Sequence, residues 1–140
     1  YLATGGTNLT LRNTRSWEVV ATIGLPEFEA RSLTGRALEG PGFGLSFSPD
    51  RRSLAVVLQD GVCLLSVPGL RQQAVLRDRM PHNRFAAISA DGSKLAACTQ
   101  GHDVKLWDLA TQEPLRTFAG HSGTVDATVF SPDGGLLSYL

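Results

Sequence analysis

Short apolar runs separated by turns rich in Gly, Pro, Ser and Asp make up most of this chain. In order they are Leu2-Ala3-Thr4-Gly5-Gly6, Leu9 to Arg12, Trp17 to Ile23, Phe43 to Phe47, Leu54 to Leu58, Val62 to Val67, Ala74 to Arg77, Phe85 to Ile88, Leu95 to Thr99, Val104 to Trp107 and Leu115 to Phe118. Each is too short for a stable helix and carries β-branched, aromatic or aliphatic residues, so each is predicted to be a strand.

The runs repeat. Ser48-Pro49-Asp50, Ser89-Ala90-Asp91 and Ser131-Pro132-Asp133 stand 41 and 42 residues apart. Leu54-Ala55 and Leu95-Ala96 begin six residues after their serines and Leu136-Leu137 begins five after its own, while Leu2-Ala3 marks the same point of an earlier copy. Ser and Asp bond local backbone and proline fixes φ, so each triplet reads as a hairpin turn after which an apolar strand resumes. Four short strands per period make an antiparallel blade. Its apolar residues, such as Val104, Leu106 and Val125, can be buried only against neighbouring blades.

Between Asp103 and Gly134 the signals fall in a fixed order: a strand ending in Trp107-Asp108, then Gly120-His121, then Phe130-Ser131-Pro132-Asp133-Gly134. This stretch resembles one complete WD repeat, the unit of a WD40-repeat β-propeller. The resemblance implies an all-β fold of four-stranded antiparallel blades, about three of them here, as a fragment of a larger ring of seven blades. Several copies assembling into a ring is the alternative. The chain then divides into a partial blade over 1–42 with a long inserted loop at 24–42, a blade over 43–83, a blade over 84–124 and the start of another over 125–140.

The resemblance also implies structural roles for Trp107, Asp108, His121, Ser138 and Asp60. In intact WD repeats a His after Gly bonds a second-strand hydroxyl, which bonds the third-strand Trp, while a turn Asp orients the ring. His121 has Ser138 at the hydroxyl position. Trp107 meets Arg79, Ala97 and Gly101 where His, hydroxyl and Asp belong, so its blade is expected to rely on apolar packing. The preceding copy keeps only Asp60 and the first only Thr4.

Ile23 and Ser48 are 25 residues apart, whereas the equivalent Phe118 and Ser131 are 13 apart. The surplus, with Glu27, Glu29, Arg31 and Arg36, falls in the loop joining an outer strand to the next inner strand. In this family that face carries most partner contacts, which makes the insert a candidate contact surface. An ordinary length difference is the plainer account. Phe43, Arg84 and Asp126 occupy equivalent first-strand positions, five residues before each turn serine, and with Gln59 and Gln100 they complete the candidate partner-binding set. Aromatic and arginine anchors suit protein or peptide recognition.

Composition narrows the classes. Thirteen basic against thirteen acidic residues give no formal net charge, and 42% of residues are hydrophobic. Neither nucleic acid nor a membrane surface is therefore an expected partner, and the basic segment from Arg71 to Arg84 reads as a solvated outer strand. Cys63 and Cys98 lack paired zinc spacing and read as buried thiols, with a disulfide between them left open. His82, His102 and His121 fall in predicted turns, and no phosphate cradle, nucleophile elbow or metal-type pair occurs. No catalytic residue, cofactor or metal is expected. The reading is a non-catalytic protein-interaction scaffold in the cytoplasm, in contact with other proteins or peptides and with neighbouring blades of a parent chain or of other copies. The alternatives are a regulatory propeller region of a larger signalling enzyme and a self-assembling structural repeat.

Overall fold

The computed structural model describes residues 1–4, 8–24, 44–58, 61–78, 85–99, 102–123, 125, 127–135 and 137–139. Thirteen strands and no helix are found among them, in four antiparallel sheets. The first sheet holds β1 (Leu2–Thr4), β2 (Asn8–Arg12) and β3 (Val19–Gly24). The second holds β4 (Gly44–Phe47), β5 (Ser53–Leu58), β6 (Gly61–Ser66) and β7 (Gln72–Arg77), in that spatial order. The third holds β8 (Ala86–Ile88), β9 (Lys94–Thr99), β10 (Asp103–Asp108) and β11 (Pro114–Phe118), also in chain order, and β12 (Thr128–Phe130) pairs with β13 (Leu137–Tyr139). Each strand thus pairs with its chain neighbour, as successive hairpins require.

Strand alternation explains how the sheets stack. On β5, Leu54, Val56 and Leu58 join Leu9, Leu11 and Ile23 in the layer between the first and second sheets. Ala55 and Val57 point the other way, into a layer shared with Leu95, Ala97 and Trp107 of the third sheet. Ala96, Cys98 and Val104 fill a last layer with Val125, Phe130 and Leu137. A central strand buried on both faces has no polar side, which is why Leu54 to Leu58 is unbroken apolar sequence. Each fully buried Leu or Val contributes roughly 1.5–3 kcal/mol relative to exposure, so the layers hold the sheets together. Cys63 and Cys98 lie in different layers and are not disulfide-bonded.

Two turns recur, each in three of the four sheets. After the inner strand, Ser48 Oγ accepts from Ser53 N at 2.9 Å while its backbone N donates to Ser53 O at 2.9 Å, and the hydroxyl donates to Asp50 Oδ1. Ser89 repeats this with Lys94 and Asp91, and Ser131 also donates to its own aspartate, Asp133. The fourth turn residue, counted from the serine, is left-handed each time: Arg51 at φ 64°, Gly92 at 72° and Gly134 at 71°. A β-carbon in that region costs about 1–2 kcal/mol, so glycine is favoured and Arg51 is strained.

After the third strand, Asn13 N, Ser66 N and Asp108 N donate to the carbonyls of Glu18, Arg71 and Glu113. Asp108 Oδ1 accepts from Ala110 N and Thr111 N at 2.8 and 2.9 Å, as Asn13 Oδ1 does from Arg15 N and Ser16 N. This turn also needs a left-handed residue, supplied by Trp17, Leu70 and Gln112. Trp17 is therefore not the start of the outer strand, as the apolar run from Trp17 to Ile23 predicts. Asn13 captures the following amides and bends the chain there, and β3 begins at Val19.

The turn carboxylates respond to these bonds. The Ser89 hydroxyl, with the Ser93 amide and hydroxyl, holds Asp91 well below the ordinary value of 3.8. Asp50 and Asp133 are lowered first by the hydroxyls of Ser48 and Ser131. A carboxylate depressed in the folded state adds stability that is complete above its ordinary value and is lost as pH falls through the folded one. The melting temperature is accordingly expected to decline below about pH 4. Ser89 is fully buried, so Ser89→Ala is expected to cost about 1–3 kcal/mol at neutral pH and to flatten that acid decline. Thermal melts from pH 2 to pH 7 measure both, and an unchanged acid slope would refute the assignment.

Candidate interaction site

The strand register sorts the loops onto two ends. Gly44 pairs with Val57, Leu58 with Gly61 and Gly61 with Arg77, so these residues share one end of the second sheet. Thr99 with Asp103, and Val104 with Phe118, mark the same end of the third, and Asn8 with Gly24 that of the first. Segments 25–43, 59–60, 79–84, 100–101 and 119–127 all depart from this end. Those segments carry Glu27, Glu29, Arg31, Arg36, Phe43, Gln59, Arg84, Gln100 and Asp126. All nine lie outside the described residues, as does Asp60.

Just beneath this end, Lys105 Nζ on β10 is bonded to the Asp78 carboxylate, which follows β7 on the neighbouring sheet. The ammonium also stands 5.7 Å from the centroid of the Trp107 ring. Trp107 is 2% exposed, and Ala97, standing where a repeat hydroxyl would be, belongs to the same apolar layer. The ion pair thus clamps the second sheet to the third, while the cation–π contact within β10 seats the ammonium over the packed indole. No sequence pattern announces the Lys105–Asp78 pairing, because it depends on how two sheets stack. His121 is half-buried after Gly120, whose φ is 105°. Ser138 on β13 pairs with Val129 as Ala96 pairs with Ala87, so the register matches Tyr139, not Ser138, to Ala97, and the expected hydroxyl position is off by one residue.

The serine turns occupy the opposite end. The inner strands β4, β8 and β12 lie side by side, and their faces and turns enclose a cleft of about 450 Å³. Ser46, Ala86, Ile88, Thr128, Phe130 and Pro132 are among its lining residues. Thr128 Oγ1 is buried with no hydrogen-bond partner among the described residues. Among those residues no group of three or more His, Cys, Asp or Glu side chains is placed to hold a metal ion.

Known proteins resemble this chain in sequence. The family described as "WD domain, G-beta repeat" matches residues 112–138. An uncharacterized WD repeat-containing protein of Synechocystis is 32% identical over 120 residues, a match covering 84% of this chain and 33% of that protein. WD repeat-containing protein 90 of Mus musculus is 30% identical over 95 residues, covering 67% of this chain and 5% of that protein. WD repeat-containing protein SL1-17 of Schistosoma mansoni is 35% identical over 95 residues, covering 67% of this chain and 31% of that protein. The chain therefore spans about a third or less of the length of these relatives. WD40 repeats are interaction scaffolds and generally non-catalytic. Stacked antiparallel sheets, serine turns at the period of a propeller repeat and WD-repeat relatives agree: the chain belongs to the WD40-repeat family.

Proposed function

We propose that this chain is a non-catalytic scaffold whose protein partner docks on the loop end defined by Gly44, Leu58, Arg77, Thr99 and Phe118. Its contacts come from Phe43, Arg84, Asp126, Gln59 and Gln100 together with the inserted segment bearing Glu27, Glu29, Arg31 and Arg36. The supporting observation is that every segment carrying these residues leaves from one end of stacked, mutually clamped sheets. A rigid stack presenting loops in one direction suits recognition of another protein, with aromatic and arginine anchors dominating the binding energy. An intracellular, cytoplasmic location is part of this proposal.

The test is quantitative capture of cellular proteins by the immobilised full-length protein. Combining Arg84→Ala and Asp126→Ala with deletion of 31–39 is expected to reduce specific capture at least ~10-fold while leaving the circular dichroism spectrum intact. Undiminished capture would rule out this surface.

A further inference from the structure

The serine-turn end carries a second surface, and the internal copies reveal it. Arg51, Arg52 and Arg71 are all exposed, on the two turns at that end of the second sheet. Val67 N donates to Arg52 O at 2.8 Å and Ser66 N donates to Arg71 O at 2.7 Å, so the two arginines flank the Ser66-Val67 pair. Among the described residues none of the three makes an ion pair. Arg71 lies in a turn before β7, so the solvated-strand reading of the basic segment does not apply to it.

The fold does not ask for these cations. The residues in the same hydrogen-bonded positions of the third sheet are Gly92, Ser93 and Glu113. The β12–β13 turn has Gly134 and Gly135, and the first sheet has Glu18. At the first of these positions the backbone is left-handed in every copy, and only the second sheet places a long side chain there, against the conformational preference. A left-handed Arg51 beside two further exposed arginines, none of the three in an ion pair among the described residues, suggests a ligand that repays the strain at Arg51.

We infer that Arg51, Arg52 and Arg71 form a docking surface for an acidic segment of a partner protein, on the end opposite the proposed scaffold surface. Guanidinium groups bind carboxylates with paired, planar hydrogen bonds, which suits a run of Glu or Asp side chains. An extended polyanion fits less well. Asp50 stands beside the cluster, and Glu18, Asp91, Glu113 and Asp133 occupy the neighbouring turns, so a nucleic acid or anionic membrane would meet carboxylates on both sides. A short acidic segment can end on the second sheet. None of the residues of the other end is used, so the two surfaces stand or fall separately.

The experiment uses the full-length protein and a fluorescent oligoglutamate peptide, with anisotropy as the readout. Exchange of the three arginines for the residues of the third sheet, Arg51→Gly, Arg52→Ser and Arg71→Glu, is expected to weaken binding about 30-fold. Arg51→Gly alone is expected to weaken it about 3-fold while raising the melting temperature by ~3 °C, since it removes the left-handed β-carbon. That opposition separates binding from folding. Binding should also fall steeply as salt is raised from about 50 to about 500 mM. Unchanged affinity in the triple variant overturns the inference, as does an equal loss on Arg77→Ala at the other end of the sheet. Tighter binding of a single-stranded oligonucleotide or of phosphatidylserine vesicles through the same arginines would also overturn it, in favour of a different partner.

Discussion

Trp107→Ala is expected to destabilise the protein by about 3–5 kcal/mol, whereas Trp17→Ala should change stability by less than about 0.5 kcal/mol. The two tryptophans differ only in where the backbone puts them. Trp107 is 2% exposed and fills the layer between the second and third sheets with Leu64, Leu76 and Leu95. Its removal opens a cavity that strands on both sides cannot close, and it takes away the ring face under the Lys105 ammonium. Trp17 is 61% exposed on a turn and has little packing to lose. Urea denaturation followed by far-ultraviolet circular dichroism avoids the fluorescence that each variant removes. A Trp107→Ala cost below about 1 kcal/mol would refute the account of the layer.

That contrast also shows what was legible in the sequence. The serine turns and the strand set were legible because their causes are local: Ser and Asp bond nearby amides, and the β-branched and aliphatic runs that follow extend the chain. The stacking was legible too, since a run such as Leu54 to Leu58 has no polar face to leave in water. Trp17 favours strand by residue type, yet the capping bonds of Asn13 decide its conformation. Leu70 and Gln112 adopt left-handed backbone at the same step of their turns, and nothing in Trp, Leu or Gln as residue types announces it. The turn's backbone closure imposes that geometry. Cross-sheet relations were the least legible. Lys105 and Asp78 are 27 residues apart and meet only because the second sheet lies against the third. Arg52 and Arg71 likewise come together through the pairing of β5 with β6 and the bonds to Ser66 and Val67.

Two glycine replacements should separate conformational cost from steric exclusion, and the larger effect is expected at Gly61. Gly61 opens β6 at φ 149°, and a β-carbon placed there would stand 2.2 Å from the Leu76 carbonyl oxygen on β7. Because that obstacle is backbone, no rotamer change relieves it. The β6–β7 pairing of Gly61 with Arg77 must break or the strand must shift, which would carry Val62 and Leu64 out of register with Leu76 and Ala74. Loss of that register exposes residues of the layer that also holds Trp107, so Gly61→Ala is expected to cost at least about 3 kcal/mol. Gly92 is left-handed at φ 72° and an added methyl group would have nothing within 4 Å, so Gly92→Ala carries the conformational cost alone, about 1 kcal/mol. Chemical denaturation of the two variants measures the difference. Equal losses would mean that β7 yields to the methyl group, and the close approach of β6 to β7 would then not be what requires glycine at position 61.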